Sequence, residues 1–246
     1  MGLLGSEYDD GPSLRRAQAT TLNARRKGEI MKVVSLQLAL PAAILAIVFS
    51  GVVRADGIGA PANRNLQAKI QYCYDCHGSS GRGYRGFFPM PRLAGQTTEY
   101  FENQLRAFVE RRRETHIAIV MSRVHGLSPE MRTALAAHFT DLNPKPFGSA
   151  ERRLVAMGKA IYEEGVPDAN VPACSACHGP EAEGSGPIPR LAGQLYPYTT
   201  KELANWSKER GQDAANPDTS AIMKPIAHSL TKSQIEAVAA YLSYME

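Results

Sequence analysis

Cysteine and tryptophan are scarce in this chain: four cysteines and one tryptophan in 246 residues. Beyond residue 55 no run alternates apolar and polar residues with a period of two, so a sheet has no signal. No long basic run with interleaved aromatics occurs, and the net charge is only +4. Nucleic-acid binding therefore has no support. Hydrophobic residues make up 43% of the chain, enough to bury a core and to exclude global disorder.

All four cysteines fall in two blocks, Cys73-Tyr74-Asp75-Cys76-His77 and Cys174-Ser175-Ala176-Cys177-His178, followed by Gly78 and Gly179. Each block reads C-x-x-C-H, the pattern of covalent c-type haem attachment. Two thiols on one helical turn reach the two vinyl groups of one porphyrin. The next residue, His77 or His178, offers a nitrogen to the iron. The glycine lets the chain turn away from the ring. Three other uses of such pairs exist. A single zinc site is disfavoured, because Cys73 and Cys174 are 101 residues apart and each block has its own histidine. A thioredoxin-like pair lacks its βαβ context. Plain disulfides are the simplest alternative for an exported protein.

Charge divides along the chain. Residues 56–150 hold 12 Lys and Arg against 8 Asp and Glu, a balance of +4; residues 151–246 hold 9 against 12, a balance of −3. Chance or orientation on charged partners explains such a dipole equally well. Residues 1–30 are polar and show no apolar period, as a disordered or untranslated extension would. Met31-Lys32 then opens an uncharged apolar run, 33–53, closed by Val53-Arg54-Ala55. That order matches a signal peptide over 31–55 cleaved before Asp56. The rival is an uncleaved anchor, since 21 residues suffice to cross a bilayer. The first form leaves a soluble periplasmic protein and the second a membrane-associated one.

The rest is an internal repeat. Pro89-Met90-Pro91-Arg92-Leu93-Ala94-Gly95-Gln96 matches Pro187-Ile188-Pro189-Arg190-Leu191-Ala192-Gly193-Gln194. Tyr100, Leu105 and Phe108 match Tyr198, Leu203 and Trp206 in the same register, as core positions on a helix. Helical stretches precede the cysteines at 66–72 and 154–162. Ser128-Pro129 caps a closing helix in the first copy, and Thr231 with Gln234 forms a capping box in the second. Asn143-Pro144-Lys145-Pro146 reads as a stiff linker. The expected domains are 56–146 and 147–246.

A sixth ligand must be found for each iron. Met90, Met131 and His138 align with Ile188, Gln234 and Tyr241, and His116 has no counterpart. Two pairs remain: Met121 with Met223, and His125 with His228. The methionines end matched apolar runs, as inward-pointing residues do, and are preferred; the histidines precede the caps in polar loops. His/Met ligation fills both axial positions and raises the potential, so the protein should move single electrons and change no bonds. Pro91 and Pro189 are expected to place a carbonyl on the far nitrogen of His77 and His178. Arg92 and Arg190 are expected near haem propionates.

On these residues the sequence resembles the cytochrome c4 family, two-domain dihaem c-type cytochromes, across about 65–246. The resemblance implies an all-α fold of two tandem class I cytochrome c domains in a pseudo-two-fold relation, with two covalently bound haem c groups near their interface. It also implies a methionine on the loop before each closing helix, and a periplasmic place. Family members pass electrons towards terminal oxidases. The expected function is therefore a respiratory electron carrier, with a quinol-oxidising complex as donor and a terminal oxidase as acceptor, and not an enzyme. The haem-bearing subunit of flavocytochrome sulfide dehydrogenases looks similar in outline, which makes an electron-accepting subunit the alternative. Arg111-Arg112-Arg113 and the 30-residue leader lie outside the family pattern.

Overall fold

Leu66, Ile70, Cys73 and Tyr74 recur at the spacing of one helix face, and they pack into the core of the first copy. They lie on α1 (Pro61–His77), which continues through the C-x-x-C-H block and past the expected end near Tyr72. The structure is a computed structural model that describes residues 61–113, 121, 124, 126–210 and 220–246. The leader expected over 1–55, and His116 and His125, lie outside the described residues. Among the described residues the regular structure is helical, with three isolated antiparallel bridges and no strand.

Gly78 follows α1 at φ +80°, and Gly179 holds the matching place at φ +81°. A side chain at either position would be strained, so the sharp exit from the haem motif requires glycine. In α2 (Thr98–Val109), Thr97 caps the N-terminus by accepting from the Tyr100 N–H, and Phe101 and Leu105 face inward. In α3 (Pro129–Thr140), the Ser128 hydroxyl accepts from the Met131 N–H, as the cap pattern predicts. Phe139 is fully buried and its ring stacks on Phe101 at 5.4 Å. Truncating such a ring costs about 3–5 kcal/mol.

The second copy is built from α4 (Val155–Glu164), α5 (Ser175–His178), α6 (Tyr196–Ala204), α7 (Trp206–Glu209), α8 (Ser220–Ser229) and α9 (Lys232–Tyr244). Here the opening helix stops before Gly165, and a separate short turn carries the haem motif. The predicted capping box of α9 is present in both directions between Thr231 and Gln234. α9 crosses α4 at Gly158, where a Cβ would come within 2.0 Å of the Ala237 carbonyl oxygen. Only glycine permits this approach. Tyr162, fully buried on α4, donates its hydroxyl to the Gly179 carbonyl and so ties α4 to the end of the haem motif.

The repeated motifs join the copies. Gln194 Oε1 accepts from the Arg92 N–H at 2.8 Å, and Gln194 Nε2 donates to the Arg92 carbonyl at 3.1 Å. Gln96 makes the same two bonds to Arg190, at 2.8 and 3.1 Å. A second layer brings two arginines across the boundary. Arg113 donates to the Tyr198 hydroxyl at 2.9 Å, and Arg210 donates to the Tyr100 hydroxyl at 3.0 Å.

Candidate haem-binding site

A cavity of about 550 Å³ is lined by both haem motifs. Cys73, Cys76 and His77 border it from one copy, and Cys174, Cys177 and His178 from the other. Leu93, Phe101, Leu105 and Leu135 wall the first side; Leu191, Leu203, Val238 and Leu242 wall the second. These are apolar surfaces of the kind a porphyrin buries against. None of the four cysteines is disulfide-bonded. Burial, and behind it other groups including the partner thiol, pushes the Cys73 thiol up to about 11. Cys174 is likewise held at about 11, chiefly by burial. Both shifts run away from the thiolate that makes a cysteine reactive. Among the described residues no three His, Cys, Asp or Glu side chains converge as a protein-only metal site requires.

His77 and His178 are buried, and burial lowers the affinity of each ring for a proton. His77 Nδ1 lies 2.8 Å from the Pro91 carbonyl oxygen, and His178 Nδ1 lies 2.9 Å from that of Pro189. A carbonyl only accepts, so Nδ1 carries the hydrogen and donates it. The Nε2 lone pair of each neutral imidazole is left for a metal. The carbonyl contacts sought in the sequence are therefore present in both copies.

Met121 and Met223 both line the cavity, as does Met90. His228 does not line it; it is exposed and hydrogen-bonds Ser207. His138 pairs with the Tyr74 hydroxyl at 2.7 Å instead.

The motif arginines are not equivalent. Arg92 is buried, and its guanidinium donates to the carbonyls of Ala94 and Pro144, at 3.0 and 2.8 Å, and to Asn143 Oδ1 at 3.2 Å. Much of its donor capacity is thus spent on anchoring the linker. Both arginines line the cavity, but only Arg190 has a buried Nε without a hydrogen-bond partner there.

A polar cluster on the cavity wall has no counterpart among the repeated motifs. Glu202 sits between Arg210, 2.7 Å away, Arg113, 3.5 Å away, and Lys201, 2.8 Å away. Burial alone would raise its carboxyl, but Arg210, Arg113 and Lys201 outweigh that and hold it well below the usual carboxylate range. Gln104 accepts from Arg113 and Arg210 at 2.8 and 3.2 Å. The off-pattern arginine run was the available signal for Arg113. Gln96 and Gln194 stood in the repeated motif, but nothing local marked them as reaching across.

The cytochrome c family model matches residues 155–246. Cytochrome c4 of Thiocapsa roseopersicina is 36% identical over 192 residues, covering 76% of this chain and 94% of that protein. A thiosulfate dehydrogenase electron acceptor of Thiomonas intermedia is 32% identical over 176 residues, covering 70% of this chain and 77% of that protein. The solved structure of Acidithiobacillus ferrooxidans cytochrome c4 superposes with a TM-score of 0.60 at 34% identity, over 71% of this chain and 99% of that one. Two copies of one helical unit, two C-x-x-C-H turns on a shared apolar cavity and similarity over about three quarters of the chain carry one conclusion: the chain belongs to the cytochrome c4 family, dihaem electron carriers made of two tandem class I cytochrome c domains.

Proposed function

We propose that the protein carries single electrons in a periplasmic respiratory chain, from a quinol-oxidising complex to a terminal oxidase. In this reading His77 with Met121, and His178 with Met223, would hold the two haem irons. Each haem, when bound, supplies an iron that takes up and gives back one electron. The chain's part is to hold the ligands and exclude water. The Pro91 and Pro189 carbonyls orient the two imidazoles, and the apolar walls keep the site dry. With thioethers from Met121 and Met223 as further ligands, each iron would have no position left for oxygen or peroxide. The observation that carries the proposal is that both methionines line the cavity while His228 turns out to Ser207. Arg190, with a free buried Nε on the cavity wall, is the better placed of the two motif arginines for a propionate.

Among the described residues no helix is long and apolar enough to cross a membrane. The periplasmic assignment rests on the haem motifs and on the apolar run before Asp56. N-terminal sequencing of protein from its native host should begin at Asp56, and a retained leader in the membrane fraction supports the anchor instead. The carrier function is tested with purified ferrous protein. It should be reoxidised rapidly by oxidase-containing membranes, bind carbon monoxide poorly and turn over little peroxide. Fast peroxide turnover moves the assignment to an enzyme.

Similarity to a thiosulfate dehydrogenase electron acceptor favours a second reading, in which a dehydrogenase is the electron donor. Co-purification with a catalytic chain, and reduction by it in preference to a quinol-oxidising complex, distinguishes the two.

A further inference from the structure

The two copies differ where the chain returns from the haem motif. In the second copy the Ser185–Ile188 bridge encloses two residues; in the first the Tyr84–Met90 bridge encloses five. The longer loop carries Phe87 into solvent at 91% exposure, with Tyr84 at 56%. Phe88 meets Phe87 edge-on, with ring centroids 4.8 Å apart. Single exposed apolar residues are ordinary, but two phenylalanine rings in contact on a loop that also exposes Tyr84 are a patch.

Two cations stand beside it. The guanidiniums of Arg82 and Arg85 lie 3.9 and 4.2 Å from the centroid of the Phe147 ring. Arg82 also donates to the Pro146 carbonyl, which fixes the loop base to the linker. Like charges are thus held together on one ring, and residues 78–98 contain three arginines but no Asp or Glu before Glu99. Neither Arg82 nor Arg85 lines the cavity, so haem carboxylates do not account for them. Pro89 and Met90, at the far end of the loop, do line it. The patch therefore adjoins the redox site.

We propose that the Tyr84–Phe88 loop is the docking site for an electron-transfer protein whose surface presents carboxylates around an apolar centre. The proposal rests on the carrier function above and adds the chemistry of the partner. Phe87 matches the apolar centre, and Arg82 and Arg85 match the carboxylates and steer encounter. Electron-transfer encounters bury less than about 1,200 Å², so a few residues suffice. A partner must approach the cavity wall to exchange an electron, whereas a lipid surface has no need to. That adjacency favours a protein.

The test uses the holoprotein on gold coated with mixed carboxylate- and methyl-terminated alkanethiols, a surface of the proposed chemistry. The wild type should give a strong electroactive film. Phe87→Ser and Arg85→Glu should each cut the interfacial electron-transfer rate about tenfold. Met157→Ser, an exposed change on α4, should leave it unchanged. Haem content and potentials are measured in solution with small mediators on the same samples, and should be equal in all variants. Wild-type films from both loop variants overturn the docking site alone. A wild type without reversible potentials in solution overturns the carrier function and the docking site with it. Sedimentation with phosphatidylcholine–phosphatidylglycerol vesicles is the third arm. Binding that Phe87→Ser abolishes identifies a lipid surface and overturns the protein partner.

Discussion

Gln96 and Gln194 clasp the two domains by a reciprocal exchange: each amide binds the backbone N–H and carbonyl of the other domain's motif arginine. Both glutamines are buried, so neither can exchange these bonds for water at no cost. The internal repeat is thereby turned into a pseudo-two-fold contact.

Replacing Gln194 by Ala leaves the Arg92 N–H and carbonyl without these partners. The expected destabilisation is about 1–3 kcal/mol, read from urea unfolding. Gln96→Ala should cost a similar amount, because its bonds have the same lengths. In the double variant the domains should unfold in two separate steps. A single unchanged transition would show that the clasp contributes nothing.

Glu202→Gln should destabilise more strongly, by about 3 kcal/mol, because Arg113, Arg210 and Lys201 lose their shared anion. The pH dependence follows from the sign of the shift. The folded carboxyl ionises below the unfolded one, so the unfolded state binds more protons as pH falls. Its contribution is complete above the ordinary glutamate range, near pH 4–5, and is lost as acid approaches the lower folded value. Stability of wild type minus variant, measured from pH 7 down to pH 3, should shrink; a difference independent of pH refutes the ionic role.

Denaturing mass spectrometry should give the mass of the mature chain plus two haems. Cys73→Ala with Cys76→Ala should remove one haem and leave the second domain loaded, since Cys174, at the N-cap of α5, and Cys177, within it, form a separate pair of thiols.

Met121→Ala and Met223→Ala each test one axial ligand. Either change should remove about half of the near-infrared sulfur-to-iron charge-transfer band, lower the potential of that haem and open its iron to carbon monoxide. The sign follows from losing a soft ligand that favours the ferrous state. A variant that keeps both band and potential marks its methionine as packing only.

The closing helices were legible because a cap acts within three residues. Ser128 reaches the Met131 N–H and Thr231 reaches Gln234 with no help from the rest of the chain. The opening helices were legible only in part. α4 halts at Gly165, which takes φ +78° with Pro167 two residues on, whereas no glycine or proline interrupts α1 between Pro61 and its cysteines.

The covalent cofactor, the repeat and the all-helical class are legible in the chain alone. Thiols and histidine within one turn, a matched octapeptide and the helical spacing of apolar residues are all short-range chemistry. Which polar residues face one another depends on the packing of distant segments. Gln96 and Arg190 are 94 residues apart, and Arg113 and Glu202 are 89 apart. The packing also separated the motif arginines: both line the cavity, but the guanidinium of Arg92 is tied to the linker while the Nε of Arg190 is left without a hydrogen-bond partner. It also turned His228 outward and left Phe87 in solvent. The physical reason is common to all of these. A side chain's partners depend on which backbone segments pack beside it, and no local propensity encodes that when the segments are a domain apart.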